Sequence, residues 1–279
     1  MDIKTLLIPG FIIGILGFVF AFVLALVAKR FSVPHDARID RVTEALPGLN
    51  CGGCSFPSCI AYAESIFKHQ HVPLTFCKPG GPVVAETLAH ILGREVEHDE
   101  KQVAKLLCRG GKQRAGDEFS YSGIPLCRAA HVIKGGPKMC KQGCMSFGDC
   151  FRACKFDAIQ MGEQGLPIID RDKCVACGAC VIACPKGLIQ LVPSSQRVFV
   201  ECVNTDKGAM TTEVCEVGCI ACRLCEKECP FDAIHVINNI AVIDFAKCTN
   251  CGKCVNVCPR NIILQLPRLV TQNEKASCS

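Results

Sequence analysis

Three times the chain spells C-x2-C-x2-C-x3-C-P: Cys174, Cys177, Cys180, Cys184 with Pro185; Cys219, Cys222, Cys225, Cys229 with Pro230; and Cys248, Cys251, Cys254, Cys258 with Pro259. A 4Fe-4S cube needs one thiolate at each iron corner. In this spacing three close cysteines cap one cube, the fourth crosses to a neighbouring cube, and the proline keeps the chain from continuing as helix. Such a segment folds around inorganic cores. The rest of the chain agrees, because with no Trp and two Tyr in 279 residues the usual large core-formers are scarce.

The 25 cysteines would suit a disulfide scaffold by number alone. An odd count and the predominance of C-x2-C argue instead for metal or cluster chemistry in a reducing compartment. Structural zinc usually takes two C-x2-C knuckles or mixes in histidine. The third cysteine of each triplet has no role in that scheme, and no run contains histidine. The formal charge of +5 counts every cysteine as neutral. Each cysteine-ligated cube carries about −2, so five of them bring the loaded chain to roughly −5, and a nucleic-acid partner is not indicated.

The second half of the chain is a repeat. Cys154 opens CKFDAI, followed by IIDRDKC and CVACGACVIACPKGLI; Cys229 opens CPFDAI, followed by VIDFAKC and CTNCGKCVNVCPRNII. Short apolar runs, Pro167–Ile169 and Ile240–Ile243, read as small strands. Crossed ligation assigns Cys219, Cys222, Cys225 and Cys258 to one cube, and Cys248, Cys251, Cys254 and Cys229 to another. In the earlier copy, Cys174, Cys177, Cys180 and Cys154 form one set, and Cys140, Cys144, Cys150 and Cys184 the other. That last run departs from the pattern as C-x3-C-x5-C-x3-C, with Lys155 where proline is expected. Two looser pairs, Cys108 with Cys127 and Cys202 with Cys215, either meet as a sixth cluster or are buried free thiols. Cys278 reads as a tail thiol.

Residues 6–28 carry no charge. As a helix they span about 35 Å, enough to cross a hydrocarbon core of about 30 Å. Gly10, Gly14 and Gly17 offer small faces for packing against membrane partners. The apolar run is too long for a signal peptide, and no A-x-A precedes Lys29, so a retained anchor is expected. Lys29, Arg30, Arg38 and Arg41 place the bulk of the chain on the cytoplasmic side of the cell membrane in a single-pass arrangement.

Between anchor and repeat lies a compact segment with Cys51, Cys54, Cys59 and Cys77, in which 60–67 and 83–92 read as helical. Its sequence Cys51-Gly-Gly-Cys-Ser-Phe-Pro-Ser-Cys59, with Ala63 and Cys77, resembles the small iron-sulfur domain of the B subunit of the Rnf electron-transport complex. The order of parts is also similar: one membrane helix, a C-x2-C-x4-C-x17-C domain, then ferredoxin-like modules. The resemblance covers nearly the whole chain and points to the longer, multi-cluster form of that protein. It implies a relay that accepts electrons from soluble ferredoxin and passes them to other membrane subunits of a complex that reduces NAD+ and moves Na+ or H+.

The expectation is therefore an α+β chain with a transmembrane anchor (1–30), a small 4Fe-4S domain (36–93), a connecting segment (94–139), a first two-cluster ferredoxin-like module (140–195), a second connector (196–218), a second module (219–264) and a tail (265–279). Five 4Fe-4S clusters sit on twenty cysteines, with the sixth left open. No G-x-G-x-x-G follows a strand and no Walker motif occurs, so no flavin or nicotinamide site is expected in this chain. His69, His71, His90 and His131 lie outside the cysteine runs and read as surface or packed residues. Two other readings remain at this level: an iron-sulfur subunit of a different respiratory dehydrogenase or reductase, and a membrane-bound redox sensor.

Overall fold

The computed structural model describes residues 3–30, 37–96 and 100–267; Cys278 lies outside them, as does the Pro-containing linker around 33–35. Helix α1 (Ile3–Arg30) ends on Lys29 and Arg30. Within it the stretch Ile13–Arg30 has a mean hydropathy of 2.1 and none of it is buried, so it is long and apolar enough to cross a membrane.

The small domain follows as α2 (Ala37–Ala45), α3 (Cys59–Lys68) and α4 (Gly81–Leu92). The hydroxyl of Ser58 accepts the N–H of Ala61 at 3.1 Å and so starts α3, and Gly93 ends α4 in the left-handed conformation that favours glycine. Tyr62, Ala63 and Ile66 share one face of α3 and bury against Val42, Leu74 and Leu88. The Tyr62 hydroxyl donates to the carbonyl of Pro73 at 2.8 Å, which ties the loop carrying Cys77 to the helix carrying Cys59.

Next come β1 (Gln102–Leu106), α5 (Gly111–Arg114), α6 (Cys127–Val132), α7 (Asp149–Ala153), β2 (Ile159–Met161), β3 (Pro167–Ile169), α8 (Ala179–Ala183) and β4 (Ile189–Pro193). The second copy has β5 (Val198–Val200), α9 (Gly208–Val214), α10 (Leu224–Glu228), β6 (Ile234–Ile237), β7 (Ile240–Ile243), α11 (Lys253–Asn256) and β8 (Ile263–Gln265). Strands β3 and β7 fall on the apolar runs read from the sequence.

Each module pairs two antiparallel hairpin strands, Ile159 opposite Ile169 and Ile234 opposite Ile243. Each also takes a strand from outside its own cysteine runs. Strand β1 pairs with β4, Val103 opposite Val192, and β5 pairs with β8, Phe199 opposite Leu264. The segments expected to connect modules are thus woven into them, and α5, α6 and α9 lie in the same segments. Two apolar cores result, one around Val103, Leu188, Ile189 and Phe199, the other around Val198, Ile234, Ile240 and Ile263. The ion pair Lys105–Glu201, at 2.6 Å and mostly buried, joins β1 to the residue after β5.

Candidate iron-sulfur sites

The repeated motifs build their loops in the same way. Between the cysteines of each triplet the backbone enters the left-handed region twice: Ala176 and Gly178, Ala221 and Arg223, Asn250 and Gly252. These reversals curl the chain between the three cysteines. Non-glycine residues held there cost of order 1 kcal/mol each and persist where surrounding structure enforces them. The repeated aspartate after each apolar run has a local task. Asp170 Oδ1 accepts N–H groups from Asp172 and Lys173, Asp244 Oδ1 accepts one from Ala246, and their carbonyls receive the N–H of Cys174 and Cys248 at 3.0 Å. That turn delivers the first cysteine of the triplet.

Four of the expected quartets come together as read. Cys51, Cys54, Cys59 and Cys77 line one cavity of the small domain. Cys154, Cys174, Cys177 and Cys180 line another, and Cys229, Cys248, Cys251 and Cys254 a third. Cys219, Cys222 and Cys258 are the charged neighbours that act on Cys225.

The remaining two quartets are partitioned differently from the sequence reading. Cys127, not Cys140, joins Cys144, Cys150 and Cys184 around one cavity, and Cys140 joins Cys108, Cys202 and Cys215 around another. The cause is local. Cys127 opens α6, and Asp149, beside Cys150, accepts the N–H of Cys127 at 2.9 Å and that of Arg128 at 3.0 Å. Cys140 is drawn the other way: buried Lys138 donates to the Ala115 carbonyl at 2.9 Å, and Met139 donates its N–H to Gly116 at 2.9 Å. The irregular C-x3-C-x5-C spacing is thereby explained, since its first cysteine belongs to another site.

Burial, with repulsion from neighbouring sulfurs, pushes the thiols of Cys140, Cys144, Cys180 and Cys225 up to about 12, and those of Cys150, Cys202 and Cys254 up to about 11. Clustered thiolates in such places require a cationic core to neutralise them. Among the described residues no group of three or more His, Cys, Asp or Glu is arranged to hold a single metal ion. Four cysteines around one cavity, with no histidine among them, are a donor set that fits a 4Fe-4S cube.

N–H groups aimed at sulfur complete the sites. Leu188 donates to Cys184 and Ala233 to Cys229, each at 3.4 Å and each four residues on, so this bond is part of the repeat. Ala104 of β1 donates to Cys174 at 3.3 Å. At the equivalent Cys248 the donor is a side chain, Nε2 of the buried Gln196, at 3.4 Å. Neither Gln196 nor Asp149 was singled out by the sequence, because both act through partners about 20 or more residues away.

An Fe-S cluster family model matches residues 46–79, and 4Fe-4S dicluster domain models match 139–189, 218–263 and 173–233. The chain is 44 % identical over 261 residues to the B subunit of the Na+-translocating ferredoxin:NAD+ oxidoreductase complex of Acetobacterium woodii, covering 94 % of this chain and 78 % of that one. It is 41 % identical to the B subunit of the ion-translocating oxidoreductase complex of Methanosarcina acetivorans, over 89 % and 94 % of the two chains. It is 42 % identical to the proton-translocating counterpart of Clostridium ljungdahlii, over 93 % and 92 %. The chain belongs to the family of Rnf B subunits. It is an electron-transfer iron-sulfur subunit, several of its domains are 4Fe-4S domains, and it associates with other subunits of a membrane complex.

Proposed function

We propose that this chain takes electrons from reduced soluble ferredoxin at its C-terminal module and delivers them to membrane partners beside its small domain. Five 4Fe-4S clusters on the quartets of the small domain and the two modules supply one-electron chemistry at low potential. The residues hold these sites close and aim N–H groups at the sulfurs.

The observation that carries this reading is the seam between small domain and first module. A side chain at Gly53 would lie 3.1 Å from Cys177 Cβ, and Cys51 is among the charges acting on Cys177. The quartet of Cys51 therefore abuts that of Cys177. Cys150 acts on Cys180 in the same way, which brings the quartet containing Cys127 into line. The small domain follows the membrane helix after a short link, so it is the membrane-proximal end. Lys29, Arg30, Arg38 and Arg41 favour a single pass with the bulk of the chain in the cytoplasm.

At the other end, Cys222 and Cys251 are the exposed cysteines among the described residues. Arg223, Lys227 and Lys253 stand beside them in the sequence together with Glu226 and Glu228, and Arg223 pairs with Glu226 at 3.7 Å. A soluble carrier docked on that face would come close to the clusters these two cysteines hold. Mixing anaerobically purified protein with reduced ferredoxin and following bleaching of the cluster absorption tests the reading. Rapid bleaching is expected; absence of acid-labile sulfide, or no reduction by ferredoxin, would overturn it.

A further inference from the structure

We propose that Arg171, in the first module, sets the reduction potential of the cluster site at Cys248 in the second, by holding Gln196 against the Cys248 sulfur. The inference rests on the relay reading above, since it concerns how one step of that relay is tuned.

The two copies of the repeat differ at the residue that follows the turn-building aspartate, which is Arg171 in IIDRDKC and Phe245 in VIDFAKC. Both side chains meet the stretch of chain that joins the modules. Phe245 lies edge-on to Phe199 of β5, 6.0 Å between ring centroids. Arg171 reaches the segment 194–197, which runs from β4 to β5. Its Nη2 donates to the Ser194 carbonyl at 2.8 Å and to the Gln196 carbonyl at 3.0 Å. From the other side comes Asn250, which stands between Cys248 and Cys251. It donates to the Ser195 carbonyl at 3.2 Å and accepts the N–H groups of Arg197 at 2.8 Å and Val198 at 3.1 Å. The segment is thus held alternately, carbonyls 194 and 196 from the first module and carbonyl 195 from the second.

Gln196 is pinned at both ends by this arrangement. Its carbonyl is held by Arg171, and its amide, on a side chain buried between the modules, donates to the Val198 carbonyl at 2.8 Å and to Cys248 Sγ at 3.4 Å. The arginine is costly to keep here. Burial works against its charge, and its Nε and Nη1 are buried with no hydrogen-bond partner among the described residues. What the side chain gains in return is its hold on the two carbonyls. N–H bonds to sulfur are among the factors that set a cluster's potential. Arg171 bonds to the carbonyl of Gln196 and not to Cys248, so it is a positioning residue whose effect passes through the glutamine. The same turn presents Cys174, whose N–H donates to the Asp170 carbonyl at 3.0 Å, so the loop of one site trims the other.

The test is a double-mutant cycle read by redox titration of the cluster-loaded chain. Gln196→Met should lower one midpoint potential. Arg171→Leu should lower that same midpoint, by about threefold in the ratio of reduced to oxidised cluster, or about 28 mV for a one-electron couple, with iron content unchanged. Added to Gln196→Met, Arg171→Leu should shift nothing further, because the bond it supports is already gone. Arg171→Leu with every midpoint at its wild-type value overturns the proposal. A fall that persists undiminished in the Gln196→Met background also overturns it, because the arginine would then act by its charge alone. Should Arg171→Leu fail to load, Arg171→Gln, polar but too short to hold both carbonyls, is read in the same cycle and judged by the same two outcomes. Either outcome leaves reduction by ferredoxin, and with it the relay, intact. A wild-type chain that carries no clusters, or that ferredoxin does not reduce, would sink the relay reading and this proposal with it.

Discussion

The carboxylate of Asp149 accepts the N–H of Cys127 at 2.9 Å through one oxygen and that of Arg128 at 3.0 Å through the other. Its side chain is 4 % exposed, and Arg152 donates to it at 2.7 Å. Asp149 thereby fixes the start of α6 and aims Cys127 at the sulfurs of Cys144, Cys150 and Cys184. Replacing Asp149 by Ala removes a helix cap, a loss of about 1–2 kcal/mol, and frees the cysteine it positions. The expected result is a lower melting temperature and partial loss of iron from one site. Asp149→Asn keeps an acceptor and should retain more of both. Equal iron content and stability in wild type and Asp149→Ala would sink this role.

Cys127 itself gives a sharper test of the partition. Cys127→Ser should remove the cluster at Cys144, Cys150 and Cys184 and leave the other sites loaded, seen as loss of one reduced-cluster signal with the rest unchanged. If a site at Cys108, Cys202 and Cys215 disappeared instead, the pairing read from the sequence would be the better guide.

Whatever local spacing controls was legible in the sequence. The triplets, the crossing fourth cysteine, the repeat from Cys154 to Cys229 and both strands beginning at Pro167 and Ile240 were all readable, since each is written within a few residues. The remote partner of an irregular run was not. Cys127 and Cys140 are separated by 12 residues, and which of them reaches Cys150 depends on Asp149 and Lys138 acting across loops. Strands β1 and β5 were hidden for the same reason: their partners, β4 and β8, lie far along the chain, and β1, in a stretch with several charges, gives a weak pattern. The aspartates at 170 and 244 were visible as repeated letters, but their task as turn-builders needs the geometry.

Gly53 sits where the small domain meets the first module. A side chain there would approach Cys177 Cβ at 3.1 Å and its carbonyl oxygen at 3.3 Å, tighter than ordinary contact. Gly53→Val should overpack the seam by about 1–3 kcal/mol and push the two quartets apart. Clusters should assemble normally, but electrons should reach the small domain more slowly after mixing with ferredoxin, as followed by freeze-quench spectroscopy. Unaltered transfer in a fully loaded variant would show that the seam does not carry the electron.

Gln196 should set the potential of the cluster at Cys248 apart from that of its counterpart at Cys174. Its amide donates to the Val198 carbonyl at 2.8 Å and to Cys248 Sγ at 3.4 Å. The Val198 carbonyl can only accept, so the atom facing it is the nitrogen and the orientation of the amide is fixed. An N–H bonded to a cluster thiolate favours the more negative, reduced state and so raises the potential. At Cys174 the corresponding donor is the main-chain N–H of Ala104, which no side-chain replacement removes. Gln196→Met keeps the length of the side chain and loses the donor. One midpoint potential should fall by about 59 mV, a tenfold change in the ratio of reduced to oxidised cluster for a one-electron couple, while the others hold. A redox titration of the loaded variant in which every midpoint matches wild type would show that this amide is only a strut of the loop.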